Sequence, residues 1–206
     1  MPSFLSDASP LVLGSGSPRR REILTSLGIP HVTVVGQADE TVHEGEEADA
    51  YLVRIACAKL DAVTSALPAD LRARALAILV ADTSVIVEGA ILGKPEGAAE
   101  AEQMIARLAG RAHEVKTRFA IARSTRAIGE APAHAETVTT LVTFRALTAA
   151  EIRAYASSGE GLDKAGGYAV QGKGAALVPR IDGSYTNVVG LPACEVVVAL
   201  RDLGIL

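Results

Sequence analysis

The sequence predicts an α/β protein, and three observations carry that expectation. Short apolar runs of strand length alternate with stretches of helical periodicity. At 206 residues the chain has ample length for a real core. Its hydrophobic fraction of 49% excludes a disordered chain. In order, "LVLGS" is a strand leaving at Ser15, and the helix after it has Ser17 as N-cap and Pro18 at its first position. Ile23, Leu24 and Leu27 share one face of that helix, and Gly28 stops it. "HVTVVG" from His31 alternates as a second strand, and the acidic residues 37–49 form a loop. A long helix over residues 49–66 places Leu52, Ile55, Ala56, Leu60 and Val63 on its apolar face.

"ALAILVAD" is a continuous apolar strand that ends in Asp82, and "SVIVEGAILGKP" reads as a hairpin turning at Glu88 and Gly89. Residues 97–109 form an Ala-rich helix ended by Gly110. Residues 112–125 and 134–146 alternate and pair as antiparallel strands, joined by "STRAIGEAPA". Thr148 caps a further helix, with Glu151 at capping-box spacing. The Gly-rich segment from Gly161 to Pro192 carries loops and one or two strands, and residues 193–203 form a terminal helix ended by Gly204. No internal repeat or linker interrupts this, so the expectation is one domain over residues 11–206 behind a loose tail, residues 1–10.

Composition narrows the function. A net charge of -4 argues against a nucleic-acid backbone as partner, and 3% aromatics with no Trp argue against a base-stacking platform. No apolar run approaches the roughly 18 residues that span a bilayer. The first ten residues lack a signal peptide's charged and apolar regions, which points to a cytoplasmic protein with no membrane partner. Cys57 and Cys194 have no metal-ligand spacing and read as buried small hydrophobes. The histidines at 31, 43, 113 and 134 show no HxxxH spacing, which disfavours zinc.

Ser15 to Arg21 is a strand–turn–helix with three arginines where the helix dipole favours acids, so an anion there would reverse an unfavourable sign. The Gly-Lys-Ser/Thr ending of a phosphate loop is absent, and the bland alternative is a solvated helix start. Asp82, at a strand's C-terminal end, is placed to orient water or hold a hard cation, or is simply a turn residue. Glu40 follows another strand and is able to join it around a metal, or is a solvated loop acid. Lys59 and Lys94 are single cations of the kind that ordinarily decorate a surface. Gln171 sits in "GGYAVQGKGAAL", whose glycines allow close approach to a ligand, and its amide is able to pair with a pyrimidine edge. "GSGSP" provides no nucleophile elbow, which excludes a hydrolase triad.

Taken together, "GSGSPRR", "ADE", "AKL", "ADTSVIVEGAILGKP", "GRAHEVKT", "DKAGGYAVQG" and "GSYTNVVGLP" occur in the order found in the Maf family of nucleoside triphosphate pyrophosphatases, which the chain resembles from about residue 11 to residue 203. The resemblance implies a mixed twisted sheet with flanking helices, in two lobes around a deep cleft, similar to inosine triphosphate pyrophosphatases. It implies cleavage of a nucleoside triphosphate to the monophosphate and pyrophosphate with a divalent metal, Mg²⁺ or Mn²⁺, with Co²⁺ as a further candidate. Ser15, Arg19, Arg20, Lys59 and Lys94 then look like the triphosphate binders. Glu40 and Asp82 look like the acids that handle metal and water, with Asp82 matching the family's proton acceptor and Lys94 beside them in the catalytic set.

The family's pyrimidine branch, acting on dTTP and UTP, has Arg, Thr and Gln at three selecting positions, matched here by Arg19, Thr83 and Gln171. The chemistry agrees: Gln donates to O4 and accepts from N3–H of uracil or thymine, whereas Glu only accepts and suits guanine. A cationic 7-methylguanine would call for a stacking Trp, and the chain has none. Two positions depart from the family, Gly14 where Ala is common and Ala58 where Glu is frequent. The expectation is a cytoplasmic homodimeric dTTP/UTP pyrophosphatase. The rivals are a purine-directed housecleaning pyrophosphatase and a nucleotide-binding regulator of septum formation without turnover.

Overall fold

A computed structural model describes residues 4–206. In chain order the described elements are β1 (Leu11–Leu13), α1 (Pro18–Ser26), β2 (His31–Thr33), α2 (Ala48–Ala66), α3 (Ala69–Arg74), β3 (Ala77–Val87), β4 (Ala90–Leu92) and α4 (Ala98–Leu108). There follow β5 (Ala112–Arg123), β6 (His134–Thr143), α5 (Ala149–Ser157), β7 (Arg180–Asp182), α6 (Tyr185–Val189) and α7 (Ala193–Asp202). The fold is mixed α/β. Its seven-stranded sheet has the order β2-β1-β3-β5-β6-β7, with β4 also on β3. β1 is parallel to β2 and β3, whereas the β3–β4 and β6–β7 pairs are antiparallel. No helix among the described residues is long and apolar enough to cross a membrane.

The chain divides into two compact units. The first comprises the residues up to Asp82, Arg118–Thr137 and Gly190–Leu206. Its core is one face of α2 (Ala56, Leu60, Val63) packed with Val12, Ile78, Val80, Ala120 and Ala122 of the strands and Leu71 of α3. Spacing of three and four along α2 delivers these side chains to one stripe, as its sequence predicts. Gly14 has a packing reason here: a Cβ would lie 2.7 Å from both Val63 and Val80, whose methyls fill that room. The expected tail lies outside the described residues at positions 1–3; beyond them Leu5 N–H donates to Ile205 O at 3.1 Å, and Leu76 N–H to Pro10 O at 3.2 Å.

The second unit comprises Thr83–Thr117 and Val138–Val189. The hairpin expected at Glu88 and Gly89 is present, with Val87 opposite Ala90. Both turn residues take positive φ, 52° and 77°, the combination a two-residue type I′ loop requires. The capping box on α5 is also formed: Thr148 Oγ1 accepts from Glu151 N–H, and the Glu151 carboxylate accepts from Thr148 N–H. Three hydrogen-bonded charges or dipoles around Glu151, led by the Thr148 N–H, lower its pKa to about 2.

Several expectations need correction. The strand expected to end at Asp82 runs on to Val87 as one extended β3. Asp82 and Ser84 are 6% and 3% exposed, so these polar residues sit inside and mark no strand end. Ser17 stands at the N-cap of α1, but its side chain makes no capping bond. The Gly-rich segment holds one strand, β7, as expected, and in addition α6 and two 3₁₀ turns, Ala165–Gly167 and Gly172–Ala176. Both cysteines are free, but exposed rather than buried.

Candidate active site

In the first unit, three sequence-predicted residues converge on one point. Lys59 reaches from α2 to Asp82 on β3, Nζ to Oδ1 at 2.5 Å, and to Glu40 Oε1 at 3.1 Å. Asp82 and Lys59 are largely withdrawn from water, their side chains 9% and 13% exposed, while Glu40 is about half exposed. An ammonium between two carboxylates offsets the cost of desolvating them, and losing it would leave buried charge uncompensated.

The loop carrying Glu40 has no regular structure, and α2 holds it. The Tyr51 hydroxyl donates to Glu40 O at 3.1 Å, and the Arg54 guanidinium donates to Thr41 O at 2.9 Å and to both oxygens of Glu46. That fork lowers the Glu46 pKa to about 2. Burial, with the charges of Asp82 and Glu40 behind it, raises the Tyr51 pKa. Sequence reasoning missed Tyr51 and Arg54; the available signal was their i, i+3 spacing on one helix, with Tyr51 about two turns before Lys59.

The arginines at the start of α1 separate. Arg21 is exposed and Arg19 partly so, while Arg20 is 8% exposed. Arg20 Nε donates to Gly190 O at 2.8 Å, and one terminal nitrogen donates to Ala81 O at 2.7 Å and Ser15 Oγ at 3.0 Å. Burial lowers its pKa, against the attraction of Asp82 and Glu40. Arg20 therefore hands these donors to backbone carbonyls, and it ties Ser15 to the residue preceding Asp82.

The other predicted residues lie in the second unit. Thr83 Oγ1 is 2.9 Å from Thr117 Oγ1, which donates to Asn187 O, so the Thr83 hydroxyl is the donor to Thr117. Asn187, fully buried, donates to Val115 O of β5 and to Thr140 Oγ1 of β6 and so braces that strand pair. Lys94 is exposed after β4, beside Gly93, whose carbonyl accepts from Gly166 N–H. Gln171 is exposed and stands immediately before the second 3₁₀ turn.

The donor set also bears on a metal. Among the described residues no group of three or more His, Cys, Asp and Glu is placed to hold an ion. Two carboxylates aimed at one cationic point suit a hard divalent ion that completes its shell with substrate phosphate and water. They do not suit a resident all-protein cage.

Comparison with known proteins places this chain in a family. The chain is 46% identical to the dTTP/UTP pyrophosphatase of Myxococcus xanthus (strain DK1622), over 97% of its own length and 95% of the relative's. It is 45% identical to the dTTP/UTP pyrophosphatase of Anaeromyxobacter sp. (strain Fw109-5), over 94% and 89%, and 44% identical to that of Geotalea uraniireducens (strain Rf4), over 95% and 96%. A solved dITP/XTP pyrophosphatase from Mycobacterium abscessus overlaps 66% of this chain and 72% of its own, at TM-score 0.35 and 14% identity, a loose agreement. The family model for Maf-like proteins matches residues 10–203, from the residue before β1 to the end of α7, and the chain belongs to that family.

Proposed function

We propose that the protein hydrolyses dTTP and UTP to the nucleoside monophosphate and pyrophosphate. The observation that carries this reading is the junction of Glu40, Lys59 and Asp82 at one point, with the Ser15–Arg20 turn tied to Ala81, the residue before Asp82. Cleaving a phosphoanhydride needs charge neutralisation and an activated water more than covalent catalysis. Lys59, Ser15, Arg19 and Lys94 bind phosphate oxygens. Arg20 binds them too, and its bonds to Gly190, Ala81 and Ser15 hold the turn in place. Asp82 accepts the proton of the attacking water. Glu40 and Asp82 hold the divalent ion, Mg²⁺ or Mn²⁺, which when bound neutralises charge on the phosphates.

Gln171, with Thr83 and Arg19, selects the base. The Gln171 amide donates to O4 and accepts from N3–H of a uracil or thymine ring. The same reading includes a cytoplasmic homodimer, with residues 11–206 as its single family domain and neither nucleic acid nor membrane as partner.

Turnover of dTTP, UTP, CTP, GTP and 7-methyl-GTP, each with Mg²⁺, Mn²⁺ and Co²⁺, tests the assignment. dTTP and UTP are expected to lead in kcat/KM, and Gln171→Glu is expected to cut that lead by about tenfold or more by removing the donor to O4. GTP leading in the unaltered protein, or a selectivity indifferent to Gln171→Glu, contradicts it.

A further inference from the structure

The loop that bears Gln171 is not held by its own secondary structure. Five residues of 3₁₀ turn follow Gln171, and the preceding Tyr168–Val170 backbone belongs to no strand. Tyr168 is fastened through its side chain to His113, and the backbone N–H groups flanking Gln171 bond to one carboxylate and one hydroxyl. Glu160 Oε1 accepts from Lys173 N–H at 2.9 Å, and Oε2 accepts from Gly174 N–H at 2.9 Å and from the Tyr155 hydroxyl at 3.0 Å. The Tyr155 oxygen in turn accepts from Ala169 N–H at 3.0 Å. The loop is thus gripped on both sides of Gln171, at residue 169 and at residues 173–174, by a single Tyr–Glu pair.

The fit around this pair is close. Gly172 adopts φ +61°, and a Cβ there would lie 2.3 Å from Glu160 Oε1. A Cβ on Gly174 would lie 1.8 Å from Ala169 O and 2.9 Å from the Tyr155 hydroxyl. The glycines therefore do more than loosen the chain: they let backbone fold directly against the carboxylate. Glu160 is itself anchored, since Lys164 Nζ donates to its main-chain carbonyl at 2.6 Å. Charge-assisted bonds of this kind outlast neutral ones, and two N–H groups converging on one carboxylate fix a turn's orientation.

We infer that Glu160 and Tyr155 are positioning residues for base selection, holding Gln171 in the orientation that presents its amide to the pyrimidine edge. The inference rests on the assignment of Gln171 to the base. A hydrogen-bonding side chain discriminates between bases more strongly when its backbone is held beforehand, because less ordering entropy is lost on meeting the matching edge. Glu160 and Tyr155 touch the loop backbone and leave the reacting phosphates to other residues.

A double-mutant cycle on selectivity tests this. The ratio of kcat/KM for UTP to that for GTP is measured in the unaltered protein, Glu160→Gln, Tyr155→Phe, Gln171→Ala and the Glu160→Gln/Gln171→Ala double variant. Glu160→Gln and Tyr155→Phe are each expected to lower the ratio about five- to tenfold, chiefly through KM for UTP. In the Gln171→Ala background Glu160→Gln is expected to change the ratio no further. Tyr155→Phe removes one oxygen and keeps the ring, so it decides the matter if Glu160→Gln fails to fold.

A uniform loss of activity on both nucleotides, with the ratio intact, overturns the positioning role and leaves the Gln171 assignment standing. An unchanged ratio in Gln171→Ala itself overturns that assignment and the inference with it.

Discussion

Asp82 is the residue on which the proposed chemistry turns. It is 6% exposed and its Oδ1 is bonded to Lys59 at 2.5 Å, so it is desolvated and oriented before any substrate arrives. Asp82→Asn keeps the shape and the bond-accepting oxygen but removes the base. It is expected to lower kcat at least about 10²-fold with the fold intact by circular dichroism, the lower end for losing a general base. Less than a fewfold loss would assign the proton to another group. The sequence singled out Asp82, Glu40 and Lys59 as residue types, but their meeting at one ammonium was not legible there. A salt bridge between residues 23 apart is made by the packing of a helix on a sheet, and spacing along the chain says nothing of it.

At the scale of elements, α1 was legible in outline, and what fastens it was not. Pro18 at the first helical position and the glycine stop signalled its ends, but the dipole's sign and the family motif said nothing of what Arg20 bonds within the protein. It is a buried fork that joins α1 to the Ala81 carbonyl of β3 and to Gly190 ahead of α7. Arg20→Met is expected to cost about 1–3 kcal/mol, because it leaves buried carbonyl acceptors without their donor. Arg20→Lys recovers little of this, since an ammonium lacks the fork. Urea melts check both, as a lower midpoint at an unchanged slope. A shift worth less than about 1 kcal/mol would contradict this fastening role.

The other elements divide by the same physics. α2, α4 and the hairpin at Glu88–Gly89 were legible because periodicity or a turn dipeptide encodes them locally. α3 was missed because six residues after Pro68 are too few to show a period. The length of β3 was misread because two of its interior polar residues, Asp82 and Thr83, are satisfied by the tertiary partners Lys59 and Thr117.

For the molecule as a whole, acid stability follows from a group outside the proposed chemistry. His113 is 2% exposed, packed edge-on to Phe144 and Tyr168, with Nε2 2.8 Å from the Tyr168 hydroxyl. Burial lowers its pKa from 6.5 to about 4. Between those values the unfolded chain binds a proton that the folded one refuses, so this contribution is full above pH 6.5 and is lost as pH falls toward 4. The loss across that window is about 3 kcal/mol. Urea melts at pH 7 and pH 4.5 are expected to show it, and His113→Phe is expected to lose that part of the acid sensitivity. An equal acid loss in His113→Phe would assign the sensitivity elsewhere.

Family membership rests on motifs spread over nearly the whole chain, which is why it was legible without a structure. The reaction is the claim most in need of a direct measurement. The protein is incubated with dTTP and Mg²⁺, and the products are separated by ion exchange. Thymidine monophosphate and pyrophosphate in equal amounts are the predicted result. Thymidine diphosphate with orthophosphate, or nucleotide bound and recovered unchanged, would contradict it.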